Sequence, residues 1–206
     1  ANWKLDRLCA VSEQIPGVRI PMCAFPGSIG VLPGKPEVAA ALEREGALAA
    51  AGGFVLMPDP GRAVPERLFG EGAPYAAEGL RTVAPRENGG NMDIKAMQGG
   101  TTILLPVLVG GAGLWTGDIH FAQGDGEVCG TAVEMAARVT LKCEVIKGGG
   151  KDIVFPHVTG GSQLRNTEPG RFHAIVGMPV KKAGEVPPHL AYLDSPKVAA
   201  LTNLSE

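Results

Sequence analysis

No apolar run in this chain is long enough to cross a bilayer as a helix. The longest, ILLPVLV at 103–109, falls far short of the roughly 20 residues a spanning helix needs, and no membrane contact is expected. No basic cluster interleaved with aromatics occurs, and the formal net charge is −2. Both features argue against a polyanion-binding surface and against a nucleic-acid partner. There is no GxxxxGK[ST], so no P-loop is expected. GGAGLWTG (110–117) lacks the GxGxxG spacing and leads into a strand-like segment, which argues against a dinucleotide fold. The four cysteines, Cys9, Cys23, Cys129 and Cys143, form no CxxC pair and fit no zinc-ribbon spacing. They read as free thiols in a reducing cytoplasm. No charged-then-apolar leader precedes a small-residue cleavage site, so no signal peptide is expected. The first residue is not Met, which fits a processed product or one piece of a longer polypeptide.

What the chain does have is backbone punctuation. Among 206 residues, Gly (30) and Pro (17) are both above average use, while 45% of residues are apolar. That combination predicts a folded domain of short elements and many turns. The stretch 15–34, IPGVRIPMCAFPGSIGVLPG, reads as brief strands and turns. A helix is expected from 36 to 53, with Pro36 in the first helical position and Glu37 complementing the positive helix end. Val38, Ala41, Leu42 and Leu48 share its face and Gly52–Gly53 terminate it. Residues 57–90, rich in Pro, Gly and charge, read as a long loop with one short helix near Tyr75–Gly79. TTILLPVLV (101–109) reads as a strand buried on both faces, with Pro106 demanding an edge or a bulge. VTLKCEVI (139–146) alternates as a half-buried antiparallel strand, and FHAIVGMPV (172–180) alternates likewise. The domain reading is a single domain over 1–206 or the central portion of a longer enzyme. Its core motif region is 81–150, and 151–206 forms a β-rich extension.

GDIHFAQGDGEVCG (117–130) gathers acids, a histidine and a cysteine among glycines. On a strand over 118–121, Asp118 and His120 share a face, with Cα atoms roughly 6.6 Å apart. Ile119 and Phe121 take the other face as anchors. Carboxylate and imidazole together suit zinc. QGDG (123–126) reads as a tight turn that returns Asp125 and Glu127 toward the same end. Glu134 then faces away from Glu127 unless Gly130 hosts a bulge. Upstream, in ENGGNMDIK (87–95), Asp93 and Lys95 share a face if the chain is extended there. Turn chemistry competes with all of this, because Asp and Asn beside Gly are the commonest turn residues. No local feature lowers the pKa of Cys129 as a nucleophile. Asp59, His157, His173 and His189 stand singly and read as loop or surface residues.

PRENGGNMDIK, the LPV strand, GDIHFAQGDGE and the Glu134–Met135–Ala136 run together resemble the acetamidase/formamidase family, nearest to its formamidase branch. IPGVRIPMCAFPGSIGVLP is similar to the family segment that precedes the long loop. The resemblance covers most of 15–150, and family members are substantially longer at both ends. It implies hydrolysis of a small aliphatic amide, such as formamide or acetamide, to the acid and ammonia. It further implies a mainly β fold with α/β additions around a β-sandwich or barrel core, and a cytoplasmic homo-oligomer. By motif match the resemblance implies a catalytic set of Asp118, Glu127, Glu134 and Lys95, with Asn91 in an adjoining matched position. The implied metal ligands are Asp93, Asp118, His120 and Glu134, holding zinc or calcium. Additional chains supplying the missing regions are a further implication. The competing expectation is a non-catalytic structural or regulatory subunit of an amidase assembly, with a structural metal site.

Overall fold

The computed structural model describes residues 2–51, 65–124, 127, 130–160 and 172–175. Its strands form three antiparallel sheets, and helices are few, as the expected mainly β architecture requires. The first sheet is a meander of β1 (Trp3–Leu5), β2 (Cys9–Ser12) and β3 (Arg19–Pro21). The central sheet carries β4 (Phe25–Gly30), β5 (Gly89–Asn91), β7 (Trp115–Ala122) and β8 (Val133–Glu134) in the order β5-β4-β7-β8. In the third sheet β9 (His157–Gly160) lies between β6 (Thr102–Leu104) and β10 (Phe172–Ile175).

Two apolar clusters join these sheets. Ala10, Phe121, Ala122 and Val133 pack together with Trp3, Ile20 and Met135 against them, which docks the first sheet on the central one. Phe25, Ile29, Met97 and Val158, with Met92, Ile94 and Ile103, dock the third sheet. Phe25 pairs with His120 across the β4–β7 ladder, so the two share a face, while Phe121 points away from it. Burying each phenylalanine stabilises the fold by about 1.5–3 kcal/mol. The central sheet is thereby packed on both sides of its β4–β7 pair.

Helix α1 (Lys35–Ala50) opens one residue earlier than the sequence suggests, with Pro36 and Glu37 in its first turn. Of the expected face only Ala41 is fully buried; Val38, Leu42 and Leu48 are half-buried. The helix ends at Ala50 with Ala51 as its C-cap, and Gly52–Gly53, expected to terminate it, lie outside the described residues. What holds α1 in place is charge. Glu45 accepts from Arg81 and Arg86 at 2.5 Å each, and Arg44 forks onto Glu87 at 2.9 and 3.3 Å. These pairs clamp the helix to the turn that starts β5.

Within the expected long loop, residues 65–90 contain α2 (Glu66–Phe69) as well as a 3-10 turn at Ala76–Glu78, where one short helix was expected. The loop then closes through Arg86 and Gly89, which exchange backbone hydrogen bonds of 2.7 and 2.9 Å. Gly89 has φ +94°, and a Cβ there would stand 2.5 Å from the Ile29 carbonyl oxygen. Only glycine lets β5 approach β4 so closely.

Three strand expectations need correction. The 101–109 run is a strand only over Thr102–Leu104, at a sheet edge, with Thr102 exposed and Ile103 and Leu104 half-buried. It stops before Pro106, which cannot donate to a ladder. Residues 139–146 pair with no strand among the described residues, and Val139, Leu141, Val145 and Ile146 are exposed. The expected half-buried strand is therefore not formed there, and Thr140, Lys142 and Glu144 are exposed along with the apolar positions. His157 and His173, read as loop or surface residues, both stand in paired strands, opposite Ile175 and Thr159 respectively. Asp59 and His189 lie outside the described residues, as do residues 176–180 of the last alternating run. Cys9, Cys23 and Cys143 are free thiols, as expected; Cys129 lies outside the described residues. Among the described residues no helix is long and apolar enough to cross a membrane.

Candidate active site

The β4–β7 ladder carries the centre of the site. Phe25 and Ile29 tie β4 to the apolar cluster below, and Phe121 ties β7 to the other. Between these anchors His120 is fully buried, with its ring set edge-on to Phe25 at 5.1 Å. Its Nε2 points at three carboxylates. Asp118 Oδ1 lies at 3.2 Å, Glu127 Oε1 at 3.7 Å and Asp93 Oδ1 at 4.0 Å. Asp93 and Glu127 are buried, at 4% and 9% exposure, whereas the Asp118 side chain is 29% exposed and opens the group toward solvent.

Each carboxylate reaches the histidine through unusual backbone. Among the described non-glycine residues, four have positive φ: Asp93 (52°), Ala112 (57°), Asp118 (53°) and Glu127 (43°). Three of those four are the carboxylates around His120. A left-handed L-residue costs about 1–2 kcal/mol, and strain concentrated in this way marks a site whose surroundings hold it in place. Asp93 is held by its N–H, which donates to the Gly27 carbonyl at 3.0 Å. Asp118 sits between two intact ladder pairs, Pro26–Ile119 and Ser28–Gly117.

The expected residues divide as follows. Asp118 and His120 come together on β7, as the strand reading required, and Phe121 goes to the core. Asp93 joins them from 60-odd residues beyond β4 in sequence, but not from an extended segment. It occupies a left-handed turn, and Lys95 lies in the following turn, half-buried, so the shared extended face is corrected. Glu127 returns to the same end; Asp125 lies outside the described residues. Gly130 has φ +72°, the β7–β8 ladder is irregular between His120 and Ala122, and Glu134 pairs directly with His120. Glu134 is exposed and accepts from Thr131 Oγ1 at 3.1 Å.

Two groups of ligand-type atoms therefore share His120. One is Asp93, Asp118 and His120; the other is His120, Glu127 and Glu134, each with its atoms within 4.8 Å of one another. Buried carboxylates gathered around an imidazole are costly unless a cation compensates them. His120 Nε2 is buried and makes no hydrogen bond. The donor set of imidazole nitrogen and carboxylate oxygens fits a divalent cation.

Three contributors escaped the sequence reading. Gly27 faces the cluster: a Cβ there would lie 2.6 Å from Asp118 Oδ2 and 2.8 Å from both Asp93 Oδ1 and His120 Cε1. Ser28 Oγ donates to Asn91 Oδ1 at 2.8 Å and lies 3.5 Å from Asp118 Oδ2, so it connects β5 to the cluster. Gln123 bridges His120 and Asp93. Gln123 lies inside the GDIHFAQGDGE motif, but contact three residues beyond His120 is invisible to a strand period of two.

The likeness to known proteins agrees with this geometry. A model of the Acetamidase/Formamidase family matches residues 1–202. Over 197 residues the chain is 40% identical to a Schizosaccharomyces pombe protein that bears a formamidase name, covering 90% of this chain and 48% of that one. Over 157 residues it is 41% identical to a formamidase of Methylophilus methylotrophus, covering 72% of this chain and 38% of that one. Among solved structures it is similar to a gamma lactamase from Delftia acidovorans, with a TM-score of 0.69 at 41% identity over 77% of this chain and 41% of that one. The chain thus spans about half the length, or less, of the relatives it matches. On the family model and these identities, the chain belongs to the acetamidase/formamidase family.

Proposed function

We propose that this chain carries the hydrolytic centre of an amidase that converts a small aliphatic amide to its carboxylic acid and ammonia. The observation that carries the reading is the convergence of Asp93, Asp118 and Glu127 on His120 Nε2 within a chain of this family. Asp93, Asp118 and His120 would hold a divalent cation, zinc or calcium, with Glu134 on the second, exposed side of His120. Such an ion supplies Lewis acidity toward the amide carbonyl and brings water into the range of a nucleophile near neutral pH.

The remaining chemistry belongs to side chains. An amide carbonyl is a poor electrophile and ammonia a poor leaving group, so a proton must be removed from water and delivered to nitrogen. Glu127, buried beside His120, suits the removal, and exposed Glu134, across the ladder from His120, suits delivery to the departing amine. Lys95, two residues after Asp93, is assigned to the developing oxyanion. The buried walls around His120 keep the Glu127 carboxylate in a low dielectric, where it acts most strongly. The protein is proposed to work in the cytoplasm as an oligomer, with additional chain completing the family's length.

The test is ammonia release from formamide, acetamide and a small γ-lactam, measured with zinc, with calcium and with chelator. Release from a linear amide, lost in Asp118→Asn and Glu127→Gln, is expected. No release from any of these amides under any metal condition would overturn the reading. A second reading, a non-catalytic subunit with a structural cation, is favoured by the exposed apolar run at 139–146. It predicts that His120→Ala alters assembly and leaves turnover of the assembled enzyme unchanged.

A further inference from the structure

Gln123 follows the end of β7 by one residue, and its side-chain amide joins two parts of the site. Its Nε2 donates to the Asp93 backbone carbonyl at 2.7 Å, and its Oε1 lies 2.7 Å from His120 Nδ1. A backbone carbonyl only accepts, so the atom of Gln123 that faces it must be the N–H₂ end. The atom facing His120 is therefore the oxygen, which also only accepts. His120 Nδ1 must then carry a proton, and in a neutral imidazole Nε2 is left with a bare lone pair.

The consequence runs against local electrostatics. Nε2 faces Asp118, Glu127 and Asp93 at 3.2–4.0 Å, and those acceptors alone would favour a proton on Nε2. With the proton held on Nδ1, the bare Nε2 lone pair faces these carboxylates, an arrangement that suits a cation. We infer that Gln123 is a positioning residue that fixes the tautomer of His120 and so makes Nε2 a ligand atom, with the Asp93 carbonyl setting the orientation of Gln123. This rests on the cation reading above, yet its first test needs no cation.

The chain has four histidines, so long-range ¹H–¹⁵N correlation of the ¹⁵N-histidine-labelled protein resolves them, and His120→Gln assigns the ring in question. In chelator, at a pH where the ring ¹⁵N shifts show a neutral imidazole, His120 is expected to show a protonated Nδ1 and a bare Nε2. Gln123→Met keeps the bulk and removes the acceptor, and the proton is expected to move to Nε2. Gln123→Glu keeps an acceptor and is expected to keep Nδ1 protonated, which tests the inference even if Gln123→Met fails to fold. Zinc titration of the same samples is expected to show affinity about 10–100-fold weaker for Gln123→Met. A bare Nδ1 in the parent protein or in Gln123→Glu, or an Nδ1 that stays protonated in Gln123→Met, would overturn the inference. The expected tautomers in a protein that binds neither zinc nor calcium would instead sink the cation reading and leave Gln123 in its role.

Discussion

Gly27 faces Asp118 across the β4–β7 ladder so closely that a Cβ at position 27 would stand 2.6 Å from Asp118 Oδ2. The same Cβ would meet Asp93 Oδ1 and His120 Cε1 at 2.8 Å. The φ of Gly27 is not positive, so its backbone accepts alanine and any harm is confined to the cluster. Gly27→Ala is therefore expected to fold normally by circular dichroism and to lose about 10²-fold in turnover, the cost of displacing reacting groups by about 1 Å. Turnover within threefold of the parent would show that the space beside Gly27 has no part in the reaction.

The strained carboxylates make a second expectation. Asp118 has φ +53°, and its carboxylate crowds two buried acids around one histidine. Asparagine tolerates left-handed backbone well and carries no charge. In chelator, Asp118→Asn is expected to melt at or above the parent, by on the order of 1 kcal/mol of relieved repulsion. With zinc added, the order is expected to reverse, because the parent gains binding energy and the variant does not. A variant less stable than the parent in chelator would refute the view that this site stores electrostatic strain.

Much of this was legible in the sequence, and the gaps have identifiable causes. A period of two placed Asp118 and His120 on one face of β7 and sent Phe121 to the core, because the ladder to β4 resumes at Ile119 and His120 after the left-handed Asp118. The same period misjudged Asp93 and Lys95, where a positive φ breaks the extended chain. Pro and Glu at 36–37 announced the start of α1, but the clamp on its middle could not be foreseen. Glu45 and its partners Arg81 and Arg86 are 36 and 41 residues apart, and no local pattern encodes such a pair. β1 and β2 were missed because a strand of three or four residues gives too few alternations to stand out. Gln123 was in view inside its motif; only the fold shows that its two ends meet partners of fixed polarity.

The first hairpin carries the one pH expectation. Asp6 Oδ1 accepts from the N–H of Cys9 at 2.7 Å and from that of Leu8 at 2.6 Å. The Cys9 and Leu8 N–H groups hold its carboxyl below the ordinary value of 3.8, with a smaller contribution from Arg19. A carboxyl lowered on folding stabilises the native turn at pH values above the unfolded one, and that stabilisation is lost as pH falls through the native one. The β1–β2 turn is thus expected to stay intact down to pH 3.8 and to loosen below it. An NMR titration of the Asp6 carboxyl carbon, with amide exchange at Cys9 followed in parallel, checks this. A midpoint at or above 3.8 would count against the turn.

The apolar run at 139–146 supports the last expectation. Val145 is 82% exposed, Ile146 61% and Leu141 43%, on a segment with no ladder partner among the described residues. Lys142 and Glu144 sit between them and pair with each other at 2.7 Å, exposed. A run of exposed apolar side chains this long marks a surface suited to association with another chain. The isolated 206-residue chain is therefore expected to self-associate as concentration rises, and salt should affect this little because the contact is apolar. Val145→Glu removes apolar contact without touching a packed residue, so the stability of the chain should change by no more than about 0.5 kcal/mol. Light scattering is expected to show the association weakened in that variant, and weakened further when Leu141→Lys is added. Equal scattering from the parent and the double variant would mean that the run is not an association surface.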